Sequence, residues 1–269
     1  MTVAIEAILR RERVIVVLAL VAVVGLCWIY LLAGAGTGMP ALEMSALPTS
    51  AALTGPMAAM QPMAWTPQYA VVLLAMWWGM MLAMMLPAAA PMILMYAAIA
   101  RRQEAARRPL EGVLAFAAGY LVLWGCFSIV AVLLQWGLER LALASPLMVV
   151  SSVVLGALLL IAAGIWQFTP LKQVCLRHCR SPLQFVMLHW RSGTGGAFRM
   201  GLRHGGLCLG CCWFLMLLLF YGGVMNIWWV LGLTSVVLIE KLAPAGARLG
   251  LFLGAGLIAW GVALLVGLS

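Results

Sequence analysis

Residues 71–100 read VVLLAMWWGMMLAMMLPAAAPMILMYAAIA, with no charged side chain anywhere in the run. An apolar run of about 18 residues or more reads as a membrane-crossing helix, because roughly 20 residues at 1.5 Å each span a hydrocarbon core of about 30 Å. This stretch exceeds that length, and it sets the fold class. The rest of the chain agrees: 66% of the 269 residues are hydrophobic and only 9% are charged. A soluble domain carries about 25% charged residues, so the composition excludes one. The expected fold is all-α, a polytopic transmembrane helix bundle formed by a single integral membrane domain over residues 1–269.

Outward from that stretch, about seven spans are expected, at 14–33, 68–90 with an extension toward residue 100, 111–138, 146–168, 203–221, 226–242 and 247–268. Of the 16 Lys and Arg residues, all but Arg140 fall on one side of this arrangement. Basic residues accumulate on the cytoplasmic side, so the N-terminus is expected in the cytoplasm and the C-terminus outside. The net charge of +9 then reports topology and not nucleic-acid binding. The first span shares features with a signal peptide. Its apolar stretch is longer than the roughly 7–15 residues of a signal core, which favours an uncleaved anchor.

Two connecting segments are long enough to carry function. The outer one, 34–67, has no basic residue and contains Met39, Met44, Met57, Met60 and Met63. The inner one, 169–202, is basic, is expected to lie at the lipid headgroups, and contains the run CLRHC at 175–179.

The sharpest chemical signal is HGGLCLGCCW, residues 204–213. At 100° per residue, His204, Cys208, Cys211 and Cys212 occupy about 100° of one helical face. Five of the seven cysteines, Cys175, Cys179, Cys208, Cys211 and Cys212, lie on the expected cytoplasmic side. Thiols there are kept reduced, so thiolate ligation of a soft metal is favoured over disulfides. Cys175, His178 and Cys179 from the inner segment, with His204 and the helix cysteines, are candidate ligands of a four-coordinate site at the membrane's inner edge. Cys27 and Cys126 are read as packing residues, and His189 as a headgroup or backbone hydrogen bonder.

Met76, Met80 and Met84 recur every four residues in the second span, beside Met81 and Met85. Pro87 and Pro91 deprive the carbonyls of Ala83 and Pro87 of their helical donors, and freed carbonyls in a membrane need other partners. Thioethers are soft donors that prefer Cu(I). The run MAAMQPM, 57–63, suits copper capture outside, so copper is favoured over zinc and an inward path is the working hypothesis. Glu240 is expected to pair with Lys241 or an inner-segment arginine, or to act as an outer-shell or proton-carrying group; Glu111 and Glu139 are weaker candidates. Asn226 is read as a helix N-cap.

The motifs MMLAMMLPAAAPM (80–92), CLRHCRSPLQF (175–185), WRSGTGGAFRMGLRHGGLCLGCCWFLM (190–216), GVMN (223–226) and EKLAP (240–244) carry a resemblance. They resemble the bacterial family of predicted metal-binding integral membrane proteins, domain of unknown function 2182. That resemblance implies a multi-span bacterial inner-membrane protein that binds metal, and its motif falls on Cys175, His178, Cys179, His204, Cys208, Cys211, Cys212 and Glu240. The outer methionine loop lies outside the pattern.

The expected function is therefore transition-metal binding, with copper transport or handling, in which the partners are the bilayer, the metal ion and a metal-carrying protein. The alternatives are a thiol–disulfide redox protein using Cys208 and Cys211, or an assembly scaffold with inert cysteines. No phosphate-binding loop of the Walker type is present, and the chain contains no aspartate, so ATP-driven pumping and triad hydrolysis lack support.

Overall fold

The structure, a computed structural model, describes residues 2–36, 40–46, 65–103, 109–143 and 149–267. Met39, Met57, Met60 and Met63 of the outer loop lie outside the described residues. The described chain is helical, in eleven segments: α1 (Thr2–Leu32), α2 (Ala41–Ala46), α3 (Pro67–Gln103), α4 (Pro109–Arg140), α5 (Val153–Phe168), α6 (Pro170–Arg180), α7 (Pro182–His189), α8 (Gly193–Leu217), α9 (Leu219–Gly222), α10 (Ile227–Leu242) and α11 (Gly246–Val266).

Five helices are individually long and apolar enough to cross a membrane, and a sixth crossing arises if α5 and α6 are taken as one broken span. The sequence alone leads to seven. The difference lies in α5 and α10, each 16 residues long and thus only ~24 Å at 1.5 Å per residue. Proline chemistry explains the break after α5. A residue before proline is pushed out of the α region, and Thr169, ahead of Pro170, is extended at φ −70°, ψ 141°. Its hydroxyl caps α6 by accepting from the Lys172 amide, and the two helix axes turn by 65°. The step repeats at Ser181–Pro182, where α7 begins.

The expected inner loop is therefore not a loop. Residues 170–189 form α6 and α7, and the Gly-rich stretch starting at Gly193 is already the first turn of α8. This helix begins ten residues before the expected start at Arg203. Glycine lowers helix propensity in isolation, but here it lets α8 lie directly against α4. A Cβ on Gly201 would strike the Phe116 carbonyl, and one on Gly119 would strike the backbone at Phe198. Such small-residue seams let helices approach closely inside a membrane.

A second seam joins α5 to α11, where Gly164 of the run GALLLIAAG faces Gly254 and Ile258. Helix α3 lies at the centre, packed on α1, α4, α7 and α10. Its methionine face is wholly buried, with Met76, Met80, Met81, Met84 and Met85 each at 0% exposure. Pro87 and Pro91 sit inside an unbroken helix, and the Tyr120 hydroxyl of α4 donates to the Met85 carbonyl in the same stretch at 3.1 Å. Asn226 caps α10 as expected, accepting from the Trp229 amide at 3.3 Å.

Candidate metal centre

The middle of α8 carries the cysteines. Cys208 is 15 residues beyond Gly193, or ~22 Å along the helix axis, deeper in the helix than a start at Arg203 implies. Cys208, Cys211 and Cys212 are 2%, 1% and 0% exposed. They pack against α3, α4, α6 and the last turn of α10. The Sγ atoms of Cys211 and Cys212 both donate to the Cys208 carbonyl at 3.0 Å. The Cys212 Sγ also lies 3.9 Å from the Met85 Sδ.

Helix α6 brings the second cysteine pair, as the four-residue spacing of Cys175 and Cys179 permits on one helical face. The Cys179 thiol lies beside that of Cys211. The Cys175 Sγ packs over Gly210, where a side chain would leave no room for it. Four thiols, Cys179, Cys208, Cys211 and Cys212, thus form one connected group with Cys175 at its edge. All seven cysteines are free thiols.

His178 does not join this group by hydrogen bonding; its Nδ1 pairs with the Val174 carbonyl of its own helix at 2.9 Å. His204 sits one turn before Cys208 and is 2% exposed. Its ring stacks on Phe116 and Tyr120 and meets the Phe185 ring edge-on. Neither ring nitrogen has a hydrogen-bond partner. A buried polar atom left without a partner costs about 1–3 kcal/mol, so an available nitrogen here is not explained by packing alone. Met76, Met80 and Met84 are buried along α3, but the thioether that touches a thiol belongs to Met85.

Charge at the site comes from a residue outside the expected ligand set. Lys241, in the last turn of α10, is 5% exposed. Its ammonium donates to the Cys208 Sγ at 2.8 Å and lies 3.8 Å from the Cys212 Sγ. The Tyr120 hydroxyl stands 3.1 Å from the same Cys208 sulfur. Neighbouring Glu240 does not pair with Lys241. Both of its carboxylate oxygens accept from Lys172, at 3.0 and 2.8 Å, in a pair whose side chains are 1% and 3% exposed. The Lys172 ammonium also donates to the Gln167 side-chain carbonyl. Arg180 meets Glu240 only at its backbone, donating to the carbonyls of Glu240, Ala243 and Pro244.

The donors suit a soft univalent ion: three buried thiols of α8, a buried thioether and a buried imidazole with open nitrogens, with the half-buried Cys179 beside them. They are not preassembled as a cage. Among the described residues no group of three or more His, Cys, Asp or Glu is arranged to hold a metal ion, and each thiol of α8 is engaged with a backbone carbonyl or Lys241. Binding would require these side chains to rotate.

Residues 74–264 match the family model PpoB2, described as copper chaperone. The chain belongs to the PpoB2 copper chaperone family. The matched region includes nearly all of α3 and every residue of the thiol group. It agrees with the metal chemistry expected from the sequence, under a family name other than the one the motifs suggest. No curated protein and no solved structure matches the chain.

Proposed function

We propose that this copper chaperone family member is a membrane-embedded carrier of Cu(I), taken as cargo by the thiols of α8 and passed on to a metal-carrying partner. The observation that carries the reading is the buried cluster of Cys208, Cys211 and Cys212 on α8, with the Met85 thioether 3.9 Å from Cys212 and the half-buried Cys179 of α6 beside Cys211. Cys208 and Cys211 are the principal donors. Cys212 and Cys179 stand ready as exchange ligands, and His204 offers a nitrogen one turn away. Cys175 and His178 border the group. Thioethers bind Cu(I) more weakly than thiolates, so Met76, Met80 and Met84 with Met85 form a graded route along α3 toward the thiols.

In this reading the protein lies in a bacterial inner membrane with its arginine-rich end in the cytoplasm, and it acts by binding and release, with no bond chemistry of its own. Glu240 serves at one remove: with Lys172 it fixes the end of α10, and so the place of Lys241.

The test is the copper content of the full chain, purified anaerobically without chelator, beside Cys208→Ser/Cys211→Ser. Near-stoichiometric copper that disappears in the variant is expected. Copper retained at the same stoichiometry would refute the assignment. A wild type that is copper-free, yet traps a partner as a mixed disulfide through Cys208 or Cys211, would replace it with the redox reading.

A further inference from the structure

Lys241 is an unusual group to bury beside thiols. An ammonium taken out of water requires a compensating anion, because the desolvation penalty is several kcal/mol. The chain contains no aspartate, and the carboxylate next to it in sequence, Glu240, gives both oxygens to Lys172. The Glu240–Lys172 pair cancels internally. What Lys241 faces instead is sulfur, at 2.8 Å from Cys208 and 3.8 Å from Cys212.

The charges of a loaded site follow from this arrangement. Two thiolates and one Cu(I) carry a net charge of about −1, which a buried site tolerates only beside a cation. We propose that Lys241 is the counter-cation of the loaded site, a positioning residue that sets its preference for a univalent metal. With Lys241, Cu(I) on two thiolates is neutral. A divalent ion on the same two thiolates is neutral without the lysine and leaves a buried positive charge with it. Zinc regains balance only by recruiting a third thiolate, and it seeks four ligands in tetrahedral array. The ammonium remains bonded to one lone pair of the Cys208 sulfur, as a charge-assisted hydrogen bond, and the thiolate keeps others for the metal. The inference rests on the cargo site proposed above.

The test compares wild type, Lys241→Leu and Lys241→Arg as full chains in detergent. Cu(I) affinity is read by competition with a bicinchoninate probe under anaerobic conditions, and Zn(II) affinity with a chromogenic chelator. Lys241→Leu removes the charge and introduces no sulfur, and it is expected to weaken Cu(I) binding by roughly 10- to 100-fold, the range of a hydrogen bond to a charged group. Its Zn(II) binding should be unchanged or tighter, so the Cu(I)-to-Zn(II) affinity ratio falls. Lys241→Arg retains the charge and should recover the ratio to within a few fold.

Equal losses for both metals would make Lys241 a merely structural residue and overturn the proposal. Unchanged or tighter Cu(I) binding in Lys241→Leu would overturn it too, because the lysine would then be competing with copper for Cys208. These outcomes leave the cargo site standing. Copper that survives loss of Cys208 and Cys211 in the wild-type background removes that site, and this inference with it.

Discussion

Lys172 and Glu240 show how a single buried pair decides what its neighbours do. Lys172 is 1% exposed and has no solvent to receive its charge. Removing one partner of such a pair leaves the other uncompensated, at a cost of about 3–5 kcal/mol, whereas replacing both with apolar groups is often neutral. Glu240→Leu is therefore expected to lower the melting temperature sharply in detergent. Lys172→Met/Glu240→Leu should regain most of the loss. If the double variant melts as low as the single one, the pair is not what holds the end of α10.

Met85 acts at the same scale. Met85→Leu conserves volume and should cost under about 1.5 kcal/mol, while slowing the loading of Cu(I) from outside, measured by stopped-flow in vesicles. Loading at the wild-type rate would remove Met85 from the route. In the sequence, Met76, Met80 and Met84 are the conspicuous series. Which methionine meets a thiol depends on the register of α3 against α8, and no periodicity within one helix contains that.

At the scale of elements, the decisive contact is the crossing of α4 and α8. Gly201 and Gly119 bring the two backbones together, and that closeness puts Tyr120 beside Cys208 and stacks His204 on Phe116 and Tyr120. Gly201→Ala pushes a methyl into the Phe116 carbonyl, and overpacking of this kind costs about 1–3 kcal/mol. Gly206, on the same helix, has open space around it: a Cβ there would meet nothing within 4 Å. At that position alanine gains helix propensity, up to about 1 kcal/mol. Thermal unfolding should thus separate the two variants in opposite directions. A Gly201→Ala protein as stable as Gly206→Ala would mean that the helices are not held this closely.

The same helix marks where sequence reading falls short. The stretch at 193–201 reads as a loop because glycine is a poor helix former in water. Within the bundle, contact with α4 outweighs that preference.

At the scale of the whole molecule, the proposed orientation puts Ser192 in the cytoplasm and Thr66 outside. Both are exposed. In a background cleared of reactive native cysteines, Thr66→Cys should label with a membrane-impermeant maleimide in intact cells, and Ser192→Cys only after lysis. The reverse pattern would invert the topology and the direction of the copper route. The basic residues used to infer that orientation are not equivalent. Lys172 and Lys241 are buried at the site, and Arg180 is tied to the carbonyls at the end of α10. The topological argument rests on the remaining arginines.

Composition and spacing within single helices are enough to read helices long and apolar enough to cross a membrane, the all-helical class and the soft donors the chain offers a metal. Uncharged runs of membrane length, cysteines on one face of α8 and a cap at Asn226 are all legible residue by residue. The packing of the helices settles the rest. Proline breaks the chain locally at Thr169–Pro170, and packing then folds α6 against α8, so that Cys179 comes beside Cys211. Packing also ends α10 beside the thiols, so that Lys241 and not Glu240 faces them. A lysine reads the same in sequence whether it meets lipid headgroups, a carboxylate or a sulfur. Only the meeting of distant helices places a partner within 3 Å of its ammonium, and at that distance, in a medium of low dielectric, the partner sets what the charge does.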